Sequence, residues 1–129
     1  MQSPGTLWRI AFEAAIIDWN SATTMVYFYY LGSSSNVFNT YSIDDHYGGK
    51  TILHCLGSTT QYIEVYGNVF YEPMSNNVRH SIAGHETGHG QSIGHILNNR
   101  IALMGYNPDP NIYYTPQPID IALVNQVYP

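Results

Sequence analysis

The chain has 129 residues, a formal net charge of −5 and only 10% charged residues. This length fits a single domain, residues 1–129, that can bury a sizeable core, and it is too short for two domains. With four basic residues in all, a surface for nucleic acid or anionic lipid is not expected. No uninterrupted apolar run is long enough to span a bilayer. We therefore predict neither a nucleic-acid partner nor a membrane partner.

The chain contains one cysteine, Cys55, so it forms no internal disulfide, and we predict a buried free thiol. Its polarity comes mainly from Asn, Ser, Thr, Gly and Tyr, a composition typical of extracellular proteins. No basic region followed by an apolar run is visible at the start, so a signal peptide is not recognised. We expect a secreted protein, with this chain as a mature form or an excised domain.

Apolar residues at helical spacing predict a first helix from about Thr6 to Asn20. Glu13 and Asp18 lie off its apolar face and are expected to be solvated. The β-branched and aromatic run from Met25 to Leu31 predicts a buried strand. The stretch from Asn39 to Lys50 is predicted to be a loop.

Two further strands are predicted, from Thr51 to Leu56 and from Tyr62 to Tyr66, and the segment from Asn68 to Tyr71 is expected to extend or pair with the second. Pro and Asn residues then interrupt the pattern. A second helix is expected from about Val78 to Gln91, and a last one from about Pro118 to Tyr128. This order predicts an α/β or α+β layered fold.

The motif that carries the chemistry is the run from His85 to His95, which holds three of the six histidines. On a helix, His85 and His89 lie on one face, so that both imidazoles can bind one metal ion beside Glu86. His95 would supply a third imidazole. Catalytic zinc needs three protein ligands and an open position for water, from which a nearby carboxylate can take a proton. The motif therefore predicts a catalytic zinc site with Glu86 as the base.

This motif and the segment around Met104 resemble the metzincin clan of zinc endopeptidases, most closely its small matrixin-like and snapalysin-like bacterial members. The clan pattern His-Glu-x-x-His-x-x-Gly-x-x-His is matched at His85, Glu86, His89 and His95, and Met104 matches the methionine of the turn beneath the metal. The resemblance implies a zincin catalytic domain with a twisted mixed sheet, an active-site helix and a C-terminal helix. It also implies Zn²⁺ as cofactor and a peptide or protein substrate, and we expect a monomer.

The resemblance suggests further roles. Tyr106 matches the position of a tyrosine that reaches the metal or the oxyanion in astacins and serralysins. The segment from Tyr62 to Asn68 occupies the place of the clan's edge strand, which pairs with extended substrate. The region from Gly105 to Tyr114 would wall the pocket for the residue after the cleaved bond, with an apolar preference. The residues that suggest this preference are Ile112, Tyr113 and Tyr114.

Two features depart from the clan's pattern. Ser92 stands where the clan has a glycine that lets the chain leave the helix in a left-handed conformation, which costs a serine about 1 to 2 kcal/mol. If Gly90 or Gly94 makes this turn instead, the approach of His95 to the metal changes. The segment from Met1 to Gly5 is also too short to supply the strand that precedes the clan's first helix. The domain is therefore expected to lack that strand, or the chain is truncated.

Two other interpretations compete with the metzincin-like peptidase. In a zinc peptidase with an acidic third ligand, Asp109 or Asp120 would replace His95, which is nevertheless the better placed donor. A non-catalytic zinc-binding domain or a degenerate protease is suggested by Ser92 and the short N-terminus. The presence of Glu86 favours catalysis, because a structural site needs no base and usually has four protein ligands.

A second metal site is a weaker hypothesis. His46, His54 and His80 lack a recognisable ligand spacing, so surface or loop roles are expected for them. Carboxylates suit calcium, and Asp44 and Asp45 lie beside His46, but no motif supports a calcium site there.

Overall fold

A computed structural model of the chain describes residues 3–22, 24–97, 101–106 and 109–129. These residues form three α-helices and a three-stranded mixed sheet, which confirms the predicted mixed α and β class. None of the described helices is long and apolar enough to cross a membrane. The helices are α1 (Pro4–Ser21), α2 (Asn76–His89) and α3 (Pro118–Val127), and the strands are β1 (Val37–Tyr41), β2 (Gly49–Leu56) and β3 (Thr59–Asn68).

The first helix is amphipathic, as its sequence predicts, and it starts earlier than predicted, at a capped N-terminus. The Ser3 hydroxyl accepts a hydrogen bond from the N–H of Thr6 at 3.2 Å, and Pro4 stands in the first turn, where its missing N–H costs nothing. One face of α1 packs against the sheet and against α2. Within the described residues, no strand precedes this helix. The buried residues of α1 are Trp8, Ala11, Phe12, Ala15 and Trp19.

The sheet has the strand order β1-β3-β2, with β1 parallel and β2 antiparallel to β3. The prediction that Tyr62 to Asn68 forms an edge strand is therefore wrong. This segment belongs to β3, the central strand, in which residues 64–67 pair with both neighbouring strands. Among the described residues, β2 is paired on one side only. The neighbours of a strand are set by contacts distant in sequence, which is why its central position was not predicted.

The segment from Met25 to Leu31 is not the predicted strand, because it has no strand partner in the described part of the chain. Asn20 holds it to α1: its side-chain oxygen accepts from the N–H of Phe28 at 2.7 Å, and its amide donates to the Phe28 carbonyl at 2.6 Å. Val26 and Phe28 pack against the core, whereas Tyr27, like the next two tyrosines, is exposed. A cavity of about 960 Å³ is lined by this segment, α1 and β1. The side chains of this segment therefore alternate between partly buried and exposed, as in a strand, although the segment pairs with no strand in the described part of the chain.

Three other boundaries differ from prediction. The expected loop from Asn39 to Lys50 begins inside β1 and ends inside β2, so its non-strand part is residues 42–48. β3 starts earlier than predicted, and Val69–Tyr71 forms a 3₁₀ turn rather than a strand. The side chain of Asn68 starts this turn by accepting from the N–H of Phe70. Asn and Gly in these strands lower the sequence signal, which tertiary pairing overrides.

The thiol of Cys55 is exposed, so the prediction of a buried free cysteine is wrong. Cys55 lies at an irregularity in the pairing of β2 with β3, one residue before the end of β2. In the described sheet β2 is an edge strand, and its last two residues, Cys55 and Leu56, are both exposed. Burial of a small apolar side chain follows from its place in the sheet and not from its residue type alone.

Two buried clusters form the core. The first lies between α1 and the sheet, and the second joins Trp19 of α1 to α3 and to the segment that follows α2. α2 begins at the cap residue Ser75, whose hydroxyl accepts from the N–H of Val78. α2 and α3 confirm the two remaining predicted helices, with ends shifted by one or two residues. The second cluster consists of Trp19, Ile93, Leu103, Met104 and Val124.

Candidate metal centre and cleft

The imidazoles of His85, His89 and His95 meet at one point. Nε2 of His85 lies 3.1 Å from Nε2 of His89 and 3.1 Å from Nε2 of His95. His85 and His89 are one turn apart on α2, and His95 reaches them from the segment after the helix. They are close enough to bind a single metal ion, and no other group of three or more such side chains in the described ranges is. The predicted convergence is confirmed.

The partners of the other ring nitrogens determine the tautomers. Nδ1 of His85 lies 2.8 Å from the carbonyl oxygen of Leu103, and Nδ1 of His89 lies 2.9 Å from that of Ile93. A carbonyl only accepts, so each Nδ1 carries a proton and donates it. In the neutral rings both Nε2 atoms therefore present lone pairs, and two lone pairs facing each other at this distance repel. A shared cation removes the repulsion, which is how backbone carbonyls prepare histidines for metal binding.

The spacing suits zinc. With Zn–N bonds of about 2.0 to 2.1 Å, tetrahedral geometry places ligand nitrogens about 3.3 Å apart, close to the observed 3.1 Å. Burial lowers the pKa of His85 to about 4 and lowers the pKa of His89 and His95, the last of which is more exposed. The rings are therefore neutral and able to bind metal near pH 7.

Ser92 makes the turn that brings His95 back to α2. Its φ is +65°, in the left-handed region, whereas Gly90 has φ −60° and continues the right-handed conformation. The expectation that a neighbouring glycine replaces Ser92 is therefore wrong for Gly90, and Gly94 has no positive φ. The Ser92 hydroxyl lies 3.2 Å from that of Thr60 on β3. The serine accepts a left-handed conformation that costs about 1 to 2 kcal/mol, and His95 reaches the other two imidazoles.

Met104 is fully buried and approaches α2 at Gly88, the residue before His89. Gly88 allows this approach, because a Cβ at position 88 would lie 2.4 Å from the Met104 sulfur and 3.1 Å from the ring of Trp19. The glycine before His89 costs helix stability, and the contact with Met104 explains its presence. The turn containing Met104 therefore packs against α2 next to its metal-binding histidines.

Asp120 holds this turn and is not placed to bind the metal. Its carboxylate accepts from the N–H groups of Leu103 and Met104 at 2.8 and 3.0 Å, and from that of Gln117 at 2.8 Å. The hypothesis of an acidic third ligand is wrong for Asp120 and unsupported for Asp109, which caps the N–H of Asn111. The sequence signal for Asp120 was its place three residues after the α3 cap, a capping-box position.

Glu86 is buried beside the histidines, with 7% of its surface exposed. Burial raises its carboxyl pKa from 4.5 to about 7, and a hydrogen bond from Thr51 opposes this shift. The Thr51 hydroxyl lies 2.7 Å from the Glu86 carbonyl oxygen and 3.4 Å from its Oε2. Thr51 was not predicted as a site residue, since it joins the site only through the position of β2. A carboxyl with a pKa near 7 can exchange a proton at neutral pH.

The centre opens into a cleft of about 900 Å³. One wall is β2 and the loop before it, and the other is α2 with Leu103, Gly105, Tyr106 and Pro110. Of residues 105–114, which were predicted to wall the pocket for the residue after the cleaved bond, Gly105, Tyr106 and Pro110 line the cleft, and residues 107 and 108 lie outside the described ranges. The three residues that suggested an apolar preference, Ile112, Tyr113 and Tyr114, are not among the residues that line the cleft. Ile112 is exposed, Tyr113 accepts from Ser81 through its carbonyl, and Tyr114 packs against His80.

Tyr106 lies at the rim of this cleft. Its ring stacks on the imidazole of His95, with 4.2 Å between ring centroids, and it is 56% exposed. Its hydroxyl has no hydrogen-bond partner in the described part of the chain. The residue is therefore beside the centre and open to the cleft.

The remaining histidines do not form a second metal site with one another. Nε2 of His80 lies 2.6 Å from Asp18, and His54 pairs with Glu64 at 2.5 Å. Asp18 is therefore not the freely solvated residue that was predicted. Glu13 is exposed, as predicted, and pairs with Arg9. The proposed calcium carboxylates accept hydrogen bonds from tyrosines: Asp44 from Tyr71 and Asp45 from Tyr41.

We compared the chain with models of known protein families, with curated proteins and with solved structures. No family model, no curated protein and no solved structure matches it.

Proposed function

We propose that the protein is a zinc-dependent endopeptidase of the metzincin type. The observation that carries this proposal is the convergence of three imidazole Nε2 atoms beside the buried carboxylate of Glu86, in an open cleft. A structural zinc site usually has four protein ligands, whereas a catalytic one has three and an open position. Three donors and a cleft fit the second type.

In the proposed hydrolysis, the metal ligands, Glu86 and Tyr106 would have separate roles. Zinc, when bound by His85, His89 and His95, acts as a Lewis acid that polarises a carbonyl and makes water more acidic. The Glu86 carboxylate accepts a proton from the attacking water and passes it to the nitrogen of the departing peptide. Tyr106, beside His95, is placed to donate a hydrogen bond to the substrate carbonyl oxygen as negative charge develops there.

β2 would bind the substrate backbone. Its inner edge pairs with β3, and its outer edge has no strand partner among the described residues. Gly49, Thr51 and Leu53 line the cleft. An extended peptide added to this edge would form main-chain hydrogen bonds independent of sequence. This arrangement supports cleavage within a chain, and we place peptides or unfolded proteins as substrates of a monomeric, secreted enzyme.

The test combines metal content with turnover. Purified protein should bind one equivalent of zinc and cleave a reduced, unfolded protein. Glu86→Gln should retain zinc and lose about 10²- to 10⁴-fold in rate, the usual contribution of a general base. Glu13→Gln, an exposed substitution of the same type on α1, is the control and should cleave normally. Zinc binding without cleavage by the wild type would leave a non-catalytic zinc-binding domain.

A ligand variant tests the centre separately. His95→Ala should weaken zinc binding by at least about 100-fold, because a site with three ligands cannot spare one donor. His80→Ala, which removes an imidazole paired with Asp18, is the matched control. Equal zinc affinity for His95→Ala and wild type would disprove ligation by His95.

A further inference from the structure

The loop before β2, residues 42–48, contains a residue in a left-handed backbone conformation. In the described ranges, the non-glycine residues with positive φ are His46, at +67°, and Ser92, at +65°. Both line the cleft that contains the metal centre. Ser92 has a role, since its turn delivers His95. Left-handed residues other than glycine cost energy and cluster at functional sites, so the conformation of His46 also calls for a role there.

Hydrogen bonds hold the backbone of this loop in place. The N–H of His46 donates to the Tyr71 hydroxyl at 2.6 Å, and that hydroxyl donates to Asp44 at 2.8 Å. The N–H of Tyr47 donates to Asp45 at 2.9 Å. The fully buried amide of Asn68 donates to Asp45 at 3.1 Å and to the carbonyls of residues 43 and 47, both at 2.8 Å. The rim of the cleft is therefore fixed before any substrate arrives.

The imidazole of His46 takes no part in these hydrogen bonds. It is exposed, and it has no hydrogen-bond or ion-pair partner among the described residues. The neighbouring carboxylates of Asp44 and Asp45 already accept bonds from Tyr71 and Tyr41. A donor group is thus held at the cleft with nothing in the described part of the protein to bind.

The charge of the cleft indicates what the donor would bind. Of nine acidic residues in the chain, Glu86 alone is among the described residues that line the cleft, which also contains His46 and Lys50. The protein as a whole carries a formal charge of −5. Asp44 and Asp45 precede His46, but their carboxylates already accept hydrogen bonds from tyrosines. Among the described lining residues other than the three histidines of the centre, a carboxylate on a substrate would therefore meet two basic side chains and one acidic one.

Resting on the proposed peptidase function, we infer that His46 is a specificity-determining residue that binds a carboxylate side chain of the substrate near the cleaved bond. Tyr71 is a positioning residue, because it holds the His46 backbone in the left-handed conformation. An imidazole that donates to a carboxylate forms a charge-assisted bond, which distinguishes glutamate from glutamine by about tenfold.

Substrate selection provides the first test. Wild type, His46→Ala and Tyr71→Phe digest a reduced, unfolded protein mixture, and mass spectrometry identifies the new chain ends. In the wild type, one position beside the cut should contain Glu and Asp about tenfold more often than Gln and Asn. The enrichment should disappear in His46→Ala and decrease in Tyr71→Phe. Tyr30→Phe, which alters an exposed hydroxyl outside the cleft, is the control and should keep it. Equal enrichment in wild type and His46→Ala overturns the inference.

A binding measurement separates this inference from the proposed function. Zinc-loaded Glu86→Gln protein, with and without His46→Ala, is immobilised and offered a peptide mixture with Glu or Gln at each position. Retention of Glu peptides that depends on His46 supports the inference even if the wild type cleaves nothing. Equal retention of both classes, or none, overturns it.

Stability distinguishes a functional role from a structural one. His46→Gly removes the side chain and suits the left-handed conformation, so it should raise the melting temperature while abolishing the selectivity. A fall in melting temperature for His46→Gly would mean that the side chain stabilises the loop, and it would overturn the inference.

Discussion

Glu86→Gln should stabilise the metal-free protein at alkaline pH while removing its activity. The carboxyl is buried, and burial raises its pKa from 4.5 to about 7. Glutamine has nearly the same shape and carries no charge to desolvate. The substitution therefore measures how much the charged carboxylate, buried beside the histidines, lowers the free energy of unfolding.

The magnitude follows from linkage between proton binding and folding. A folded-state pKa above the unfolded one means that this group favours the fold below about pH 4.5, and that its contribution is lost as the pH rises through about 7. The loss is about 3 kcal/mol at pH 8 and below about 1 kcal/mol at pH 5. At an unfolding entropy of about 2.1 cal/mol/K per residue, the melting temperature of Glu86→Gln should exceed that of the wild type by about 10 °C at pH 8 and about 3 °C at pH 5.

The assay is thermal unfolding followed by circular dichroism, with a chelator present, at both pH values. Comparison of variant with wild type at each pH cancels the other titrating groups, including the histidines. Glu13→Gln, on the exposed face of α1, should show no pH-dependent difference. Zinc should reduce the gain, because a nearby positive charge favours the carboxylate. The same difference in melting temperature at pH 5 and pH 8 would refute the reasoning.

Three further predictions concern the residues of the metal centre. Gly88→Ala should destabilise the fold by about 1 to 3 kcal/mol and weaken zinc binding, because its methyl group would meet the Met104 sulfur. The control in chemical denaturation is Gly94→Ala, whose added methyl group has nothing within 4 Å, and equal effects of the two substitutions would contradict the proposed contact. Ser92→Gly should raise stability by about 1 kcal/mol at unchanged zinc affinity, and lower stability would show that the serine is not strained. Zinc affinity, measured with a competing chelator, should be constant above about pH 6.5 and fall as the pH drops towards 4, since protons compete for the imidazoles; a flat response would exclude histidine ligation.

Helical features were predictable from the sequence because helical contacts are local. The positions of His85, Glu86 and His89 on one turn follow from a spacing of 3.6 residues. The apolar face of α1 follows from the same periodicity. The sequence also indicated where the chain leaves α2, because Ser92 stands where the clan has a glycine in a left-handed conformation. It did not show whether Ser92 or a neighbouring glycine would adopt that conformation.

The tertiary structure decided what depends on distant partners. The segment from Met25 to Leu31 has a strand's composition but no strand partner among the residues that the structure describes, whereas β1 has a weak signal and pairs with β3. The edge beside the cleft proved to be β2, because strand order is set by contacts far apart in sequence. The sequence alone thus identified the three imidazoles that converge and the carboxyl group beside them. Their convergence, the burial that raises the pKa of Glu86, and the loop that presents His46 exist only once β2, α2 and the Met104 turn pack together, since burial and strand pairing belong to the assembled fold.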